Sequence, residues 1–328
     1  MKPILWRLPF ELPVIGPVEL YAYFTLLTVG FALAAVLSVR DARKQGIDAQ
    51  RILDLNIWMV VWGIIGSRAL HVIADGHLHE YINLCLDPRL VEAADARVLR
   101  CVSDATCSLG KFATASGLVD YQCDPIRHVC YPPRDCLVAF KVWRGGLAYY
   151  GGFIFAVAFG LYYLRRHRLP MLRVTDFAAY GIPLGLVFGR LGCVLNGCCF
   201  GQPTQSFLGV QFPGRGAAWR AQVEAGVIAK TASAALPVHP TQLYESLACL
   251  AIFVYLYFWV RPRKRFDGQV SAMFLILYAI ARSLVEVLRA DERGVVLGFL
   301  STSQIISIPL FALGLYMFRR LGRRPTPA

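Results

Sequence analysis

Apolar positions in this chain run in seven long blocks separated by polar segments, near residues 19 to 39, 55 to 74, 146 to 164, 174 to 195, 242 to 260, 269 to 288 and 299 to 318. As a helix, each block is long enough to cross a hydrocarbon core of about 30 Å, where backbone polar groups must be satisfied internally. The pattern predicts an all-α polytopic membrane protein with seven transmembrane helices, in which residues 1–328 form a single membrane domain. Two longer polar stretches interrupt it. One runs from Asp75 to Lys141; the other, Phe200 to Val238, is rich in Gly, Ala and turn residues and is expected to form a small cap over the outer membrane surface.

Charge refines the picture. Lys and Arg number 34 against 21 Asp and Glu, a net charge of +13 that alone would suit nucleic acid. The basic residues, however, cluster beside the apolar blocks: Arg40, Arg43, Lys44 and Arg51; Arg165, Arg166, Arg168 and Arg173; Arg261, Arg263, Lys264 and Arg265; Arg319, Arg320, Arg323 and Arg324. Alternate loops of a seven-span protein hold all four clusters, so the positive-inside rule puts them in the cytoplasm, the N-terminus outside and the C-terminus inside. No nucleic-acid partner is expected. The N-terminal stretch Met1 to Pro17 lacks the charged-apolar-small order of a cleaved signal, so the first span is expected to be retained. Pro9, Pro13 and Gly16 break any helix before Val18, and Trp6 and Phe10 suit the outer interface.

Six of the ten cysteines fall in the Asp75 to Lys141 stretch: Cys85, Cys101, Cys107, Cys123, Cys130 and Cys136. An even count in a polar segment outside the membrane reads as up to three disulfides, with pairings the sequence cannot rank. Their spacings lack the paired Cys-x-x-Cys or Cys-His pattern of a zinc site, and no metal is expected.

Two arginines interrupt the apolar blocks, Arg190 and Arg282. A guanidinium stays charged at physiological pH and costs several kcal/mol in hydrocarbon, so two at membrane depth imply an anionic partner or a wet cavity. Gly185, Gly189, Gly192 and Asn196, spaced by four, three and four, form a stripe beside Arg190. Packing against a neighbouring helix explains the glycines but requires no cation. Tyr278, Arg282, Glu286 and Arg289 share a second helix face, leaving one net positive charge there and two once Arg190 is added. That excess suits a phosphate approached by forked donors. His239-Pro240-Thr241-Gln242-Leu243-Tyr244-Glu245 opens the fifth block with Pro in the first helical turn, and Gln242, Glu245 and Cys249 face one way. Two readings of Glu245 stand: a proton acceptor for a thiol, or a carboxylate that orients an arginine. Glycine pairs at 145–146 and 151–152 suggest an irregular or re-entrant backbone there, with Tyr149 and Tyr150 either lining it or joining an aromatic belt. Arg68 is either internal or extended towards the outer surface.

Four motifs taken in order resemble the prolipoprotein diacylglyceryl transferase family: Gly145-Gly146-Leu147-Ala148-Tyr149-Tyr150-Gly151-Gly152; Gly189-Arg190-Leu191-Gly192 with Asn196-Gly197; His239 to Glu245; and Tyr278 with Arg282, Glu286 and Arg289. The resemblance covers roughly residues 140 to 290. It implies an enzyme of the bacterial cell inner membrane that moves the diacylglyceryl group of phosphatidylglycerol to the lipobox cysteine thiol of a preprolipoprotein and releases glycerol phosphate. Its partners would be phosphatidylglycerol, lipobox segments and membrane lipids, with no cofactor. By the family's pattern Arg190 and Arg282 would be the essential pair, with Glu245 or Tyr150 as base and with Gly189, Gly192, Asn196, His239, Gln242, Tyr278, Glu286 and Arg289 binding substrate. Three departures stand out. Tyr150 occupies a position where the family often has histidine. Cys198 and Cys199 follow Asn-Gly where a Glu is common, and read as local packing or an adjacent-cysteine disulfide. The six-cysteine insertion is longer than the family needs.

Two rival classes remain at this level. A membrane thiol-disulfide oxidoreductase would use the cysteines, but the Cys-x-x-Cys pair such enzymes carry is absent. A phospholipid transporter or binding protein would use the arginines without breaking a bond, but would tend to show broken helices in both halves, and the glycine-rich break occurs once.

Overall fold

The computed structural model describes residues 4–12, 16–74, 78–90, 111–114, 117–120, 122–124, 129–131, 134–142, 146–214, 216–290, 295–296 and 300–323. They group into two compact units, Met1–Leu53 with Arg168–Ala328, and Asp54–His167. Helices dominate: α1 (Ala22–Lys44), α2 (Ala49–Ala74), α3 (Leu78–Leu86), α4 (Tyr149–Arg166), α5 (Met171–Asn196), α6 (Ala217–Glu224), α7 (Thr241–Val254), α8 (Gln269–Glu286) and α9 (Thr302–Gly322). Among the described residues six helices are long and apolar enough to cross a membrane: Ala22–Lys44, Ala49–Ile73, Met171–Asn196, Thr241–Arg263, Gln269–Glu286 and Thr302–Gly322. The block near 146 to 164 forms α4, whose 18 residues include four tyrosines and end on Arg165 and Arg166, which dilute its apolar content. The chain is a mostly helical, polytopic membrane protein.

In the first unit α5 is the central helix, packed against α1, α7 and α8, while α9 packs on α8. The glycine stripe explains the close α1 contact. A Cβ on Gly192 would lie 2.9 Å from Tyr23 Cα, and one on Gly30 would lie 3.0 Å from the Phe188 side chain. Packing therefore accounts for Gly192. Gly197, at φ 73°, caps α5 in the left-handed conformation, and Ser301 and Gln304 form a capping box at the start of α9. The chain before α1 is an antiparallel hairpin, Ile4–Leu12 with Gly16–Tyr21, in keeping with the expected absence of helix.

The far end of these helices is tied by aspartates. Buried Asp41 on α1 accepts from Tyr180 Oη at 2.8 Å and pairs with Arg261. Asp176 accepts from Gly268 N, Ser271 N and Ser271 Oγ, each at 3.0 Å, and pairs with Lys264 at 3.2 Å. Asp267 binds Arg173 at 2.7 Å and Lys264 at 3.2 Å. Partial burial pushes the Asp267 carboxyl up, but those two cations outweigh it and hold the group below its ordinary range. Arg173, Arg261 and Lys264 of the basic clusters are thus structural.

Residues 200–238 form a small lobe around Phe212, Ala218, Ala235 and Val238, with Phe200, Val210 and Trp219 packed on it. Its charge-free buried link is Gln222 on α6, which accepts from Leu236 N at 2.7 Å and donates to Leu236 O at 3.2 Å.

In the second unit α2 and α4 cross at glycines: a Cβ on Gly66 would meet Gly151 O at 2.5 Å, and one on Gly151 would meet Gly66 O at 2.3 Å. The glycine-rich break is therefore shorter than expected. Residues 146–148 are irregular and Gly146 needs its φ of 71°, but Gly151 and Gly152 are helical. Arg68 is internal, 6% exposed, donating to the carbonyls of Ala139 at 2.8 Å, Val138 at 2.6 Å and Gly146 at 3.0 Å. In the cysteine-rich insertion Cys85 and Cys136 are joined by a disulfide. Cys123 and Cys130 are register partners on the antiparallel strands Gln122–Asp124 and Val129–Tyr131. Cys101 and Cys107 lie outside the described residues.

Candidate functional site

α5, α7 and α8 each bring charge to one buried place in the first unit. Glu245, one turn into α7, is its hub: its carboxylate lies 2.9 Å from Arg190 Nη2 on α5, 3.7 Å from Arg289 Nη1 just beyond α8, and 4.0 Å from Arg282 Nη1 on α8. Arg282 also pairs with Glu286 at 2.7 Å and donates to Ser303 Oγ on α9 at 2.9 Å. The side chains of Glu245, Arg282, Glu286 and Arg289 are all under 9% exposed, and that of Arg190 is 16% exposed. Three guanidinium groups face two carboxylates, so the net excess is one positive charge. The sequence reading, which left Glu245 outside the count, gave two. Arg190 Nε and Arg282 Nη1 are buried and make no hydrogen bond among the described residues. A buried donor left unmade costs about 1–3 kcal/mol, more when charged. Both carboxylate oxygens of Glu245 and Glu286 Oε2 likewise make no hydrogen bond among the described residues, but the guanidinium groups outnumber the carboxylates, so the cluster has the donors to accept an anion.

The backbone around the cluster is locked by the start of α7. Thr241 Oγ1 donates to Cys199 O at 2.9 Å and Gln242 Nε2 donates to Cys198 O at 2.7 Å, both side chains being fully buried. The turn after α5 is thereby fixed to α7. Gly201 N donates to His239 O at 2.8 Å and Gln202 N to Leu288 O at 2.9 Å, which fastens the same stretch to the end of α8. Gln202 Nε2 adds a bond to Arg289 O at 3.3 Å.

The expected site residues divide accordingly. Arg190, Glu245, Arg282, Glu286 and Arg289 converge. Tyr278, one turn before Arg282, stacks on Phe274 with ring centroids 5.5 Å apart. Asn196 ends α5, is exposed, and interacts with the Cys198 thiol. His239 pairs with the Tyr244 hydroxyl at 3.4 Å. Gln242 is occupied with a backbone carbonyl. Gly189 has room, the nearest atom to an added Cβ being Leu27 Cδ1 at 3.6 Å. Tyr150 belongs to the second unit, in the first turn of α4, half-exposed and edge-on to Tyr149.

Two features escaped the sequence reading. Ser303 reaches Arg282 from α9, across a turn no spacing rule connects. Cys193, Cys198 and Cys199 gather their sulfur atoms within 4.8 Å of one another, and Cys198 and Cys199 are free thiols rather than an adjacent disulfide. Hydrogen bonds from the Cys193 and Cys198 thiols, with Arg289 alongside, hold the Cys199 thiol below its ordinary range. The signal was present: Cys-x4-Cys-Cys straddling a helix-capping Gly brings its first and later members together.

Comparison with known proteins gives relatives that share one name. A Xylella fastidiosa protein named phosphatidylglycerol–prolipoprotein diacylglyceryl transferase is 38% identical over 211 residues, 58% of this chain and 68% of that protein. A Clostridium tetani protein of the same name is 25% identical over 97% of each chain, and a Clostridium perfringens protein, transferase 2, is 27% identical over 94% of each. The family model for prolipoprotein diacylglyceryl transferase matches residues 10–93 and 112–320, the gap falling inside the cysteine-rich insertion. With that match over most of its length and the resemblance of its motifs borne out, the chain belongs to the prolipoprotein diacylglyceryl transferase family.

Proposed function

We propose that the chain transfers the diacylglyceryl group of phosphatidylglycerol to the lipobox cysteine thiol of preprolipoproteins, releasing glycerol phosphate. The names of its relatives supply the two substrates, and the observation that carries the reading is the buried three-arginine cluster with one unbalanced positive charge. The leaving phosphate gains negative charge as its bond to the glyceryl carbon breaks. Preorganised cations aimed at developing charge are the strongest general source of such catalysis. Arg190 and Arg282, whose Nε and Nη1 make no hydrogen bond among the described residues, grip the phosphate. Arg289 and Glu286 complete the cluster, and Glu245 holds the three guanidinium groups in place, the role its contacts favour over proton acceptor. Tyr150 is the other candidate acceptor. Asn196, Tyr278 and His239 contact the headgroup; Gln242 acts through the Cys198 carbonyl it holds; Gly189 leaves space beside Arg190 and Gly192 sets the α1 contact.

In this reading the chain lies in the bacterial inner membrane with seven spans, N-terminus outside and C-terminus in the cytoplasm, and α4 is the remaining span. The lobe at 200–238 and the cysteine-rich insertion at 75–141 then face outward, on the side where lipobox segments are presented. The test uses purified protein in detergent with phosphatidylglycerol and a lipobox peptide. A thioether-linked diacylglyceryl peptide and glycerol phosphate are expected in equal amounts. Binding of both substrates without either product would sink the proposal.

A further inference from the structure

Three thiols that the scheme above leaves unused stand beside the charged cluster. Cys193, Cys198 and Cys199 are free, and their sulfur atoms lie within 4.8 Å of one another. The backbone is shaped to bring them together. Cys193 sits in the last turn of α5, Gly197 reverses the chain at φ 73°, and Cys199 takes φ 61°, a left-handed conformation that a residue with a side chain adopts rarely and that clusters at functional sites. Thr241 and Gln242 then pin the carbonyls of Cys199 and Cys198 from α7. The turn is held at its carbonyls while its thiols converge on Cys193. Packing alone requires neither three sulfurs nor a strained Cys199.

A thiolate trio suits a soft metal ion. Zinc binds thiolate at about 2.3 Å, which sets tetrahedral ligands about 3.8 Å apart. Contraction by up to about 1 Å closes these thiols around the ion. Three protein ligands with a fourth position open is the arrangement of a catalytic rather than a structural zinc. Access matches: Cys193 is buried, whereas Cys198 and Cys199 are partly exposed. Charge matches as well. The guanidinium groups of Arg289 and Arg190 both interact with these sulfurs and so favour their thiolate forms.

We infer that Cys193, Cys198 and Cys199 form a zinc site whose open position takes the thiol of the acceptor cysteine. The inference rests on the transferase reading above and adds to it a means of activating the nucleophile. A thiol on zinc is deprotonated outright, its proton passing to solvent. The zinc-held sulfur attacks the glyceryl carbon that bears the phosphate. A C–S bond forms and the C–O bond breaks, its electron pair going to the phosphate oxygen between the arginines. Zinc stays divalent, nothing is oxidised or reduced, and the neutral thioether, a poorer ligand than thiolate, leaves the metal. Neither Glu245 nor Tyr150 then needs to accept the thiol's proton.

The test uses the full chain, reduced, in detergent, loaded with one equivalent of Zn²⁺ and dialysed. One zinc per chain is expected, with at least a tenfold loss of affinity in Cys193→Ser and in Cys198→Ser and none in Cys249→Ser. With Co²⁺ in place of zinc, the thiolate-to-metal absorption should grow when a peptide carrying the acceptor cysteine is added, and not when that cysteine is serine. A reduced wild-type chain that retains no zinc, or a cobalt spectrum indifferent to the peptide thiol, overturns the inference without depending on how any variant folds. Full transfer by protein stripped of metal overturns it while leaving the transferase reading intact. A thiol-responsive metal site in a chain that transfers nothing, with or without zinc, upholds the site and sinks the transferase reading instead.

Discussion

Replacing Glu245 by Gln keeps the volume and shape of the side chain while removing the charge that three guanidinium groups share. Glu245 is 2% exposed, with Arg190 at 2.9 Å, Arg289 at 3.7 Å and Arg282 at 4.0 Å. At an effective dielectric of about 20, each such contact is worth about 4 kcal/mol before desolvation. Loss of one partner from a buried ion pair costs about 3–5 kcal/mol, because the remaining charges are left uncompensated. The net excess rises from one positive charge to two, held only by Glu286. Three outcomes follow. The variant should melt well below the wild type in detergent without lipid, and an added anion should restore more of its stability than it adds to the wild type, since the anion fills the vacated role. Turnover should fall by about two orders of magnitude, the scale of a 1 Å misplacement of a catalytic group. The assay is thermal unfolding with and without phosphatidylglycerol, beside product formation from a lipobox peptide. If Glu245→Gln melts with the wild type but loses turnover, Glu245 is a proton acceptor and not the hub; if neither changes, the cluster has no role in the reaction.

Other substitutions separate packing from chemistry. Arg282→Lys should remove most of the activity, about a hundredfold or more, because one ammonium cannot serve Glu286, Ser303 and a phosphate with the forked geometry that Arg282 offers; turnover near normal would refute its role. Gly192→Ala should destabilise the chain, its Cβ falling 2.9 Å from Tyr23 Cα, whereas Gly189→Ala, with 3.6 Å to the nearest atom, should fold normally; equal melting temperatures would contradict the packing assigned to the stripe. Gln242→Ala should free the Cys198 carbonyl, cost about 1–3 kcal/mol and lower activity through the displaced turn, measurable as a shared loss in melting and rate. Cys85→Ser should lower stability by about 4 kcal/mol on the chain-entropy account of a closed loop of this length, leaving turnover at low temperature unchanged.

Much of this arrangement was legible in the residues. Charged groups inside apolar blocks are costly, so Arg190, Arg282 and Glu245 stood out without any structure, and helical spacing already put Tyr278, Arg282, Glu286 and Arg289 on one face. What spacing cannot give is contact between helices far apart in sequence. That Glu245 on α7 meets arginines from α5 and α8, and that Ser303 reaches Arg282 from α9, depends on how the helices pack. The glycines at 151 and 152 illustrate the reverse case. Their helix penalty suggested a break, but in a membrane helix a glycine is also what lets α2 and α4 approach, and packing prevailed. Arg68 could be read either way from sequence, since a long side chain extends outward or folds inward according to which carbonyls lie nearby. Cys198 and Cys199 read as local detail in the sequence because Cys193 lies in the helix before them, and it is the reversal at Gly197 that brings the three sulfurs together.

Side-by-side transfer assays of the wild type, Arg190→Ala and Arg282→Ala, each first shown to be folded and to bind the lipobox peptide, test the central claim most directly. The account predicts equal yields of diacylglyceryl peptide and glycerol phosphate from the wild type and almost none from either variant. Product from the variants at the wild-type rate would contradict it.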